Sequence, residues 1–340
     1  MSDPLLIATN DGLWCPDAGV HIDPWKPVAR AIITHAHSDH AVAGSGAYLA
    51  SAAGLGVLRE RMGPEATLEG LAYGERVRVG RVTVSLHPAG HLLGSAQVRL
   101  ERDDGEVWVV SGDYKVEADP TCAAFEPVPC HVFLTESTFG LPIYRWRPAA
   151  LIAREIDAWW RANRARGRTS VLLAYALGKA QRLLSLIDPI GPILVHGSIA
   201  RLNPHYAAAG VRLPAVLGTE DAAQVKGTGL VLAPPSAVGT TWIRRFGDVS
   251  TAFASGWMAV RGTRRRRNLD RGFVLSDHAD WDGLVGAIRA TGAQRILVSH
   301  GHVQPLVRWL GEQGLQAERI NAHYLGEMES ETGSHEERAA

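Results

Sequence analysis

Through the first 145 residues, apolar positions alternate or cluster in short runs, and glycines and prolines separate the runs. Ala29–Thr34 is an apolar run that ends against a histidine. Alternation carries on through Val77, Val79, Val82, Val84 and Leu86, and again along Ala96–Leu100. Val107–Ser111 and His131–Thr135 are continuous apolar runs. A period of two marks a half-buried strand, and a short unbroken apolar run marks a strand covered on both faces. The pattern predicts short strands here, with a brief helix at Gly54–Met62.

The texture changes near Pro148. Ala149–Arg166 is the clearest helix, with Pro148 at its start, Gly167 just past its end, and Ile152, Ile156 and Trp160 on one stripe. With Trp160 on that stripe, Trp159 and Trp160 are expected to pack in a core rather than to stack on bases. A strand at Ser170–Ala174, a helix at Gly178–Ile187 and a strand at Pro192–His196 follow, the alternation that builds a parallel sheet. Beyond Arg271, the pattern predicts a strand at Phe273–Ser276, a helix at Trp281–Thr291 and a strand at Arg295–Ser299.

Composition narrows the class. Hydrophobic content of 46% with 21% charged residues is that of a globular chain. Thirty-five basic and 35 acidic residues give no net charge, so a polyanion would have to be held by local patches or bound metal. Only Lys26, Lys115, Lys179 and Lys226 are lysines; the remaining basic residues are arginines, whose planar fork suits phosphate. Cys15, Cys122 and Cys130 form no disulfide framework, which fits a reducing compartment. The N-terminal stretch lacks a basic region and a long apolar core, and no run nears the roughly 18 apolar residues of a membrane span. The expectation is a cytoplasmic protein with no membrane contact.

The chemistry concentrates in Thr34-His35-Ala36-His37-Ser38-Asp39-His40, directly after the Ala29–Thr34 run. Four ligand-type side chains occupy six positions of a strand-to-helix turn, where neighbours can splay toward two adjacent sites. Neutral imidazole with a hard carboxylate is a ligand mix that suits zinc. A lone His-x-His would be read as a polar loop; this denser cluster points to metal.

The His-x-His-x-Asp-His pattern resembles the signature of the metallo-β-lactamase superfamily. That resemblance implies an α/β chain folded as an αββα sandwich with a binuclear metal site on one edge. Further motifs match: His91 in Pro88-Ala89-Gly90-His91-Leu92-Leu93-Gly94-Ser95, Asp113 in Ser111-Gly112-Asp113-Tyr114, and an early Asp23 that braces ligands. Glu136 in Leu134-Thr135-Glu136-Ser137-Thr138, His278 in Ser276-Asp277-His278-Ala279-Asp280 and His300 in Ser299-His300-Gly301 resemble motifs of the β-CASP nucleases. Gly178-Lys179-Ala180-Gln181 resembles their insert helix. The whole chain looks most like compact bacterial ligase-associated DNA exonucleases. The organisation so implied is a first sandwich segment at 1–145, a β-CASP insert at 146–255 and a completing segment at 256–326; the polar, acidic composition of 327–340 predicts a disordered tail.

By this resemblance, His35, His37 and His91 hold one divalent metal and Asp39, His40 and His300 a second, with Asp113 bridging. Zinc is expected, with manganese as the alternative. Such a pair would make hydroxide available near neutral pH and screen phosphate charge. His278, oriented by Glu136, would protonate the leaving oxygen. Lys115 and the run Arg264, Arg265, Arg266 and Arg267 are candidate phosphate contacts. His302 is close to His300 in sequence but is not expected to serve the site. The implied activity is hydrolysis of DNA phosphodiesters from an end, in repair, beside a DNA ligase and a helicase. A ribonuclease with the same chemistry is the main rival, because a histidine at the last motif is commoner in RNA-acting relatives. A small-molecule hydrolase would lack the long insert, and a non-catalytic scaffold would lack the full ligand set.

Overall fold

The computed structural model describes residues 3–260 and 269–320. The arginine run 264–267, the end of the segment expected at 256–326 and the tail expected at 327–340 lie outside them. The chain is mixed α/β and divides into two units, Met1–Tyr144 with His278–Ala340, and Arg145–Asp277.

Two sheets build the first unit. One has six strands in chain order, Ile7–Ala8, Leu13–Cys15, Val20–Ile22, Arg30–Ile32, Ala47–Ser51 and Leu68–Leu71. The other has seven, ordered Gln316–Arg319, Arg295–Gly301, Val132–Ser137, Val107–Val110, Ala96–Glu101, Val82–Pro88, Arg76–Val79. Its first four strands pair in parallel and the rest antiparallel. Period-two side chains sort the faces. Val84, Leu86, Val98, Trp108, Val110 and Leu134 join Leu13, Ile22, Ile32 and Leu49 of the first sheet in one core. Val107, Val109, Phe133 and Ile296 point the other way, onto helices Trp281–Ala290 and Val303–Glu312. The Val107–Val110 run is therefore apolar throughout because both its faces are covered.

The alternation from Val77 to Leu86 resolves into a hairpin. Its phase slips between Val79 and Val82, and Gly80 turns the chain there at φ 58°. A Cβ at Gly80 would stand 2.4 Å from the Asp17 carbonyl oxygen, so only glycine fits.

The second unit is a parallel five-stranded sheet, ordered Ile193–Val195, Leu230–Ala233, Thr169–Leu173, Val249–Ala254, Arg271–Phe273. One face packs on helices Ala149–Ala165 and Lys179–Leu186 through Ile152, Ile156, Trp160, Leu183 and Leu184. This unit runs on to Asp277, and Arg271–Phe273 pairs with Ala252–Ala254 as the edge strand of its sheet. The strand expected at Phe273–Ser276 thus lies earlier in the chain.

Trp159 and Trp160 are both core residues, with indole nitrogens donating to Ser250 Oγ at 3.2 Å and to the Thr228 carbonyl at 2.9 Å. Trp160→Ala should lower stability by about 3–5 kcal/mol. The check is a fall in the urea midpoint at constant slope; an unchanged midpoint would contradict the packing described.

Candidate metal centre

The predicted ligand positions all lie in the first unit, at or just beyond the C-terminal ends of strands. His35, His37 and His40 follow Arg30–Ile32; His91 follows Val82–Pro88; Asp113 follows Val107–Val110. Glu136 and His300 end neighbouring parallel strands. Thr135 pairs with Val298 and Ser137 with Gly301, so Ser299 and His300 together oppose Glu136. Bulges of this kind bend a strand locally and are common beside functional sites. Gly112 holds φ 57° beside Asp113, where a Cβ would stand 2.7 Å from the Thr34 side chain.

Asp113 is the meeting point. Its Oδ2 is 3.5 Å from His35 Nε2, 3.5 Å from His40 Nε2 and 3.9 Å from His91 Nε2, and its Oδ1 is 3.1 Å from His300 Nε2. His37 Nδ1 and His91 Nε2 are 3.1 Å apart. Two ligands on one tetrahedral zinc, with bonds near 2.0–2.1 Å, stand about 3.3 Å apart. Ligand atoms group within 4.8 Å as His35, His37, His91 and Asp113; as His40, Asp113 and His300; and as Asp113, Glu136 and His278.

Hydrogen bonds around the rings assign the tautomers. The Thr34 hydroxyl donates to Asp23 Oδ2 (2.5 Å), so His35 Nδ1–H donates to Thr34 Oγ1 (3.0 Å). Ser299 Oγ donates to the Thr135 carbonyl (3.1 Å), so His300 Nδ1–H donates to Ser299 Oγ (3.0 Å). Asp23 accepts from His40 Nδ1–H at 2.7 Å, and Glu136 from His278 Nδ1–H at 2.9 and 3.0 Å. Each neutral ring then offers its Nε2 lone pair. At His35, His40 and His300 that atom faces a carboxylate, and two electron-rich atoms at such distances need a proton or a cation between them.

Electrostatics says the same. Burial, with the charge of His40 next, holds His35 well below the usual histidine range. Burial opposes charge on His40 too, but Asp113, Asp39 and Asp23 outweigh it and hold its pKa up at about 10. Asp113 is buried, yet His40, His278 and His300 keep its carboxyl well below the usual range. The carboxylates that retain a proton on His40 would serve a divalent cation as well. The donor set fits bound metal.

Asp23 packs against the loop that carries the candidate ligands. It is buried at φ 43°, left-handed for a non-glycine residue, and it accepts from the Thr34 amide (2.7 Å) as well as from Thr34 Oγ1 and His40. Glu136 accepts from the Tyr114 amide (2.8 Å) and from the Thr138 hydroxyl in addition to His278. The His278 ring lies 4.7 Å from that of His91. Asp39 stands further out, 3.9 Å from His40 Nε2, and joins none of the three ligand groups among the described residues. Lys115 lies beside Asp113 in sequence. It is buried and donates to the Glu117 carbonyl (2.8 Å) and carboxylate (2.9 Å). His302 stacks on Tyr144 at 5.6 Å.

Sequence reading passed over the hydroxyls that set the rings: Thr34, Ser299, Thr138, and Ser95, whose Oγ accepts from the amides of His91 and Leu92. A signal was present for two of them, because Thr34 and Ser299 each immediately precede a strand-end histidine.

No family model matches the chain. Over 316 residues, 92% of its length, it is 32% identical to a protein of Opitutus terrae named "Probable DNA ligase", of which it covers 31%. Over 123 residues, 36% of the chain, it is 29% identical to Endoribonuclease YSH1 of Saccharomyces cerevisiae and 27% identical to Endoribonuclease YSH1 of Candida glabrata, covering 15% and 16% of those proteins. The chain thus spans less than a third of the length of these curated relatives. Among solved structures, it resembles a protein of unknown function from Enterococcus faecalis V583, with TM-score 0.57 at 13% identity, covering 86% of this chain and 78% of that one. That likeness concerns the fold alone.

Proposed function

We propose that this chain is a metal-dependent nuclease of the metallo-β-lactamase superfamily, in its β-CASP branch, and that it hydrolyses DNA phosphodiester bonds from an end. The observation that carries the reading is the convergence of His35, His37, His40, His91 and His300 on buried Asp113. The paired sheets of the first unit and the parallel sheet of the second suit a sandwich with an α/β insert. Partial likeness to endoribonucleases supports nuclease chemistry. Likeness over nearly the whole chain to a probable DNA ligase supports DNA as substrate and work beside a ligase. A helicase partner follows from the sequence resemblance alone. Three free cysteines suit the reducing cytoplasm.

His35, His37, His91 and Asp113 would hold one ion, and His40, His300 and Asp113 with Asp39 the other; zinc is the proposed metal and manganese the alternative. Divalent cations bound there would acidify water and screen the charge of the phosphate. Asp23, Thr34 and Ser299 keep the ligand rings in the tautomer that turns Nε2 inward. Glu136 holds His278 Nδ1–H, leaving Nε2 as the atom that passes a proton to the leaving oxygen.

A ribonuclease is the second reading, favoured by the endoribonuclease matches. End-labelled single- and double-stranded DNA and RNA of identical sequence separate the two. With zinc or manganese, we expect DNA to shorten progressively and a chelator to stop it. Faster RNA cleavage would reverse the substrate, and no metal-dependent cleavage of either polymer would end the nuclease proposal.

A further inference from the structure

Arg61 lies in the last turn of helix Leu55–Met62, outside every motif discussed above. Val57 and Leu58 of that helix line a small internal cavity together with Thr34, His35 and Ala36. The helix therefore backs the loop that carries three of the candidate ligands. From its end, Arg61 Nε donates to the Ala36 carbonyl at 2.8 Å, between His35 and His37. Apart from this bond, Arg61 makes no hydrogen bond or ion pair among the described residues. The side chain lies along the protein closely enough that lost solvent lowers its pKa, and the Asp39 carboxylate acts the other way. Arg61 nevertheless keeps an exposed surface.

One donor of the fork is thus fixed to the ligand loop, and the other N–H groups remain for solvent. A guanidinium anchored at one nitrogen has already lost much of its rotamer freedom, so a second bond costs less ordering. Its neighbour Arg59 is placed differently, with Nη1 donating to the carbonyls of Pro64 (2.9 Å) and Ala66 (2.5 Å).

We propose that Arg61 is a substrate-binding residue whose guanidinium takes a backbone phosphate next to the one at the metal centre. This rests on the nuclease reading, since the phosphate belongs to a nucleic-acid chain. It also gives a protein of no net charge a cation anchored on the ligand loop, while the arginine run 264–267 lies outside the described residues.

The test is the salt dependence of cleavage of a labelled single-stranded oligonucleotide by zinc-loaded protein. Each phosphate contact contributes about 0.7 to the slope of log affinity against log salt for single strands. Arg61→Ala should flatten the slope of kcat/KM by about that amount. It should also raise KM roughly ten- to a hundred-fold, the range for a hydrogen bond to a charged group, with kcat little changed. Arg61→Gln keeps a donor for the Ala36 carbonyl and removes the charge, so it should flatten the slope equally. Zinc content should match the wild type in both variants.

A purely structural role predicts the reverse: metal content or kcat falls in Arg61→Ala, Gln restores it, and the slope stays at the wild-type value. A wild-type slope in either folded variant overturns the proposal. Wild-type protein that cleaves no nucleic acid overturns the nuclease reading and this proposal together, whereas cleavage with an unchanged slope overturns this proposal alone.

Discussion

Asp113→Ala should abolish cleavage and strip metal while the protein stays folded. The carboxylate stands between two groups of histidines, with Oδ2 toward His35, His40 and His91 and Oδ1 toward His300. Without it, the imidazoles lose the only carboxylate common to all three ligand groups. The affinity loss should exceed the roughly 10–100-fold that follows loss of an outer hydrogen-bond partner of a ligand. The fold survives because no backbone group hangs on Asp113; among the described residues its partners are histidine rings. Asp23 and Glu136 differ, since each accepts a backbone amide, from Thr34 and Tyr114. Elemental analysis, circular dichroism and cleavage assays check the three parts. Full metal content or near-wild-type cleavage would sink the assignment, and His37→Ala should fail in the same way.

What could be read in the sequence depended on distance along the chain. His35, His37 and His40 lie within six positions, so one short loop carries all three to Asp113, while Asp39 of the same loop joins none of the ligand groups among the described residues. His91, Asp113 and His300 were singled out through the resemblance to known motifs, and the structure sets all three at or just beyond strand ends beside the His35–His40 loop. The pairing of Glu136 with His278 spans 142 residues, and only the resemblance to a known motif suggested it. The bulge opposite Glu136 left no sequence mark, because strand register is fixed by partners rather than by local residue choice. In the second unit, Arg271–Phe273 is too short for a period to declare itself, which is why the strand was expected later, at Phe273–Ser276. Arg61 was invisible for another reason. One arginine in the last turn of a short helix is ordinary, and its reach to Ala36 exists only once helix and loop are packed. The absence of net charge has also changed meaning. It excludes binding through global charge, and it leaves local cations as the route to phosphate.

His278→Ala should keep its metal and lose about 10²–10⁴-fold in rate, the usual contribution of a placed proton donor. The ring is buried, Nδ1 is held by Glu136, and Glu136 is itself held by the Tyr114 amide and the Thr138 hydroxyl. Such a chain orients Nε2 more firmly than a lone surface histidine could be oriented. The geometry leaves one other role open to test, since His278 also groups with Asp113 and Glu136 as a ligand atom. Leaving-group chemistry separates the two roles. A nucleotide leaves as a basic alkoxide and needs a proton, whereas nitrophenolate leaves without one. If His278 donates that proton, the alanine variant should be crippled on oligonucleotides yet close to wild type on bis(p-nitrophenyl) phosphate. If it ligates metal, both substrates should slow together and metal content should drop. Equal slowing of the two substrates at full metal content would also reject proton donation, because the defect would then be independent of how badly the leaving group needs a proton.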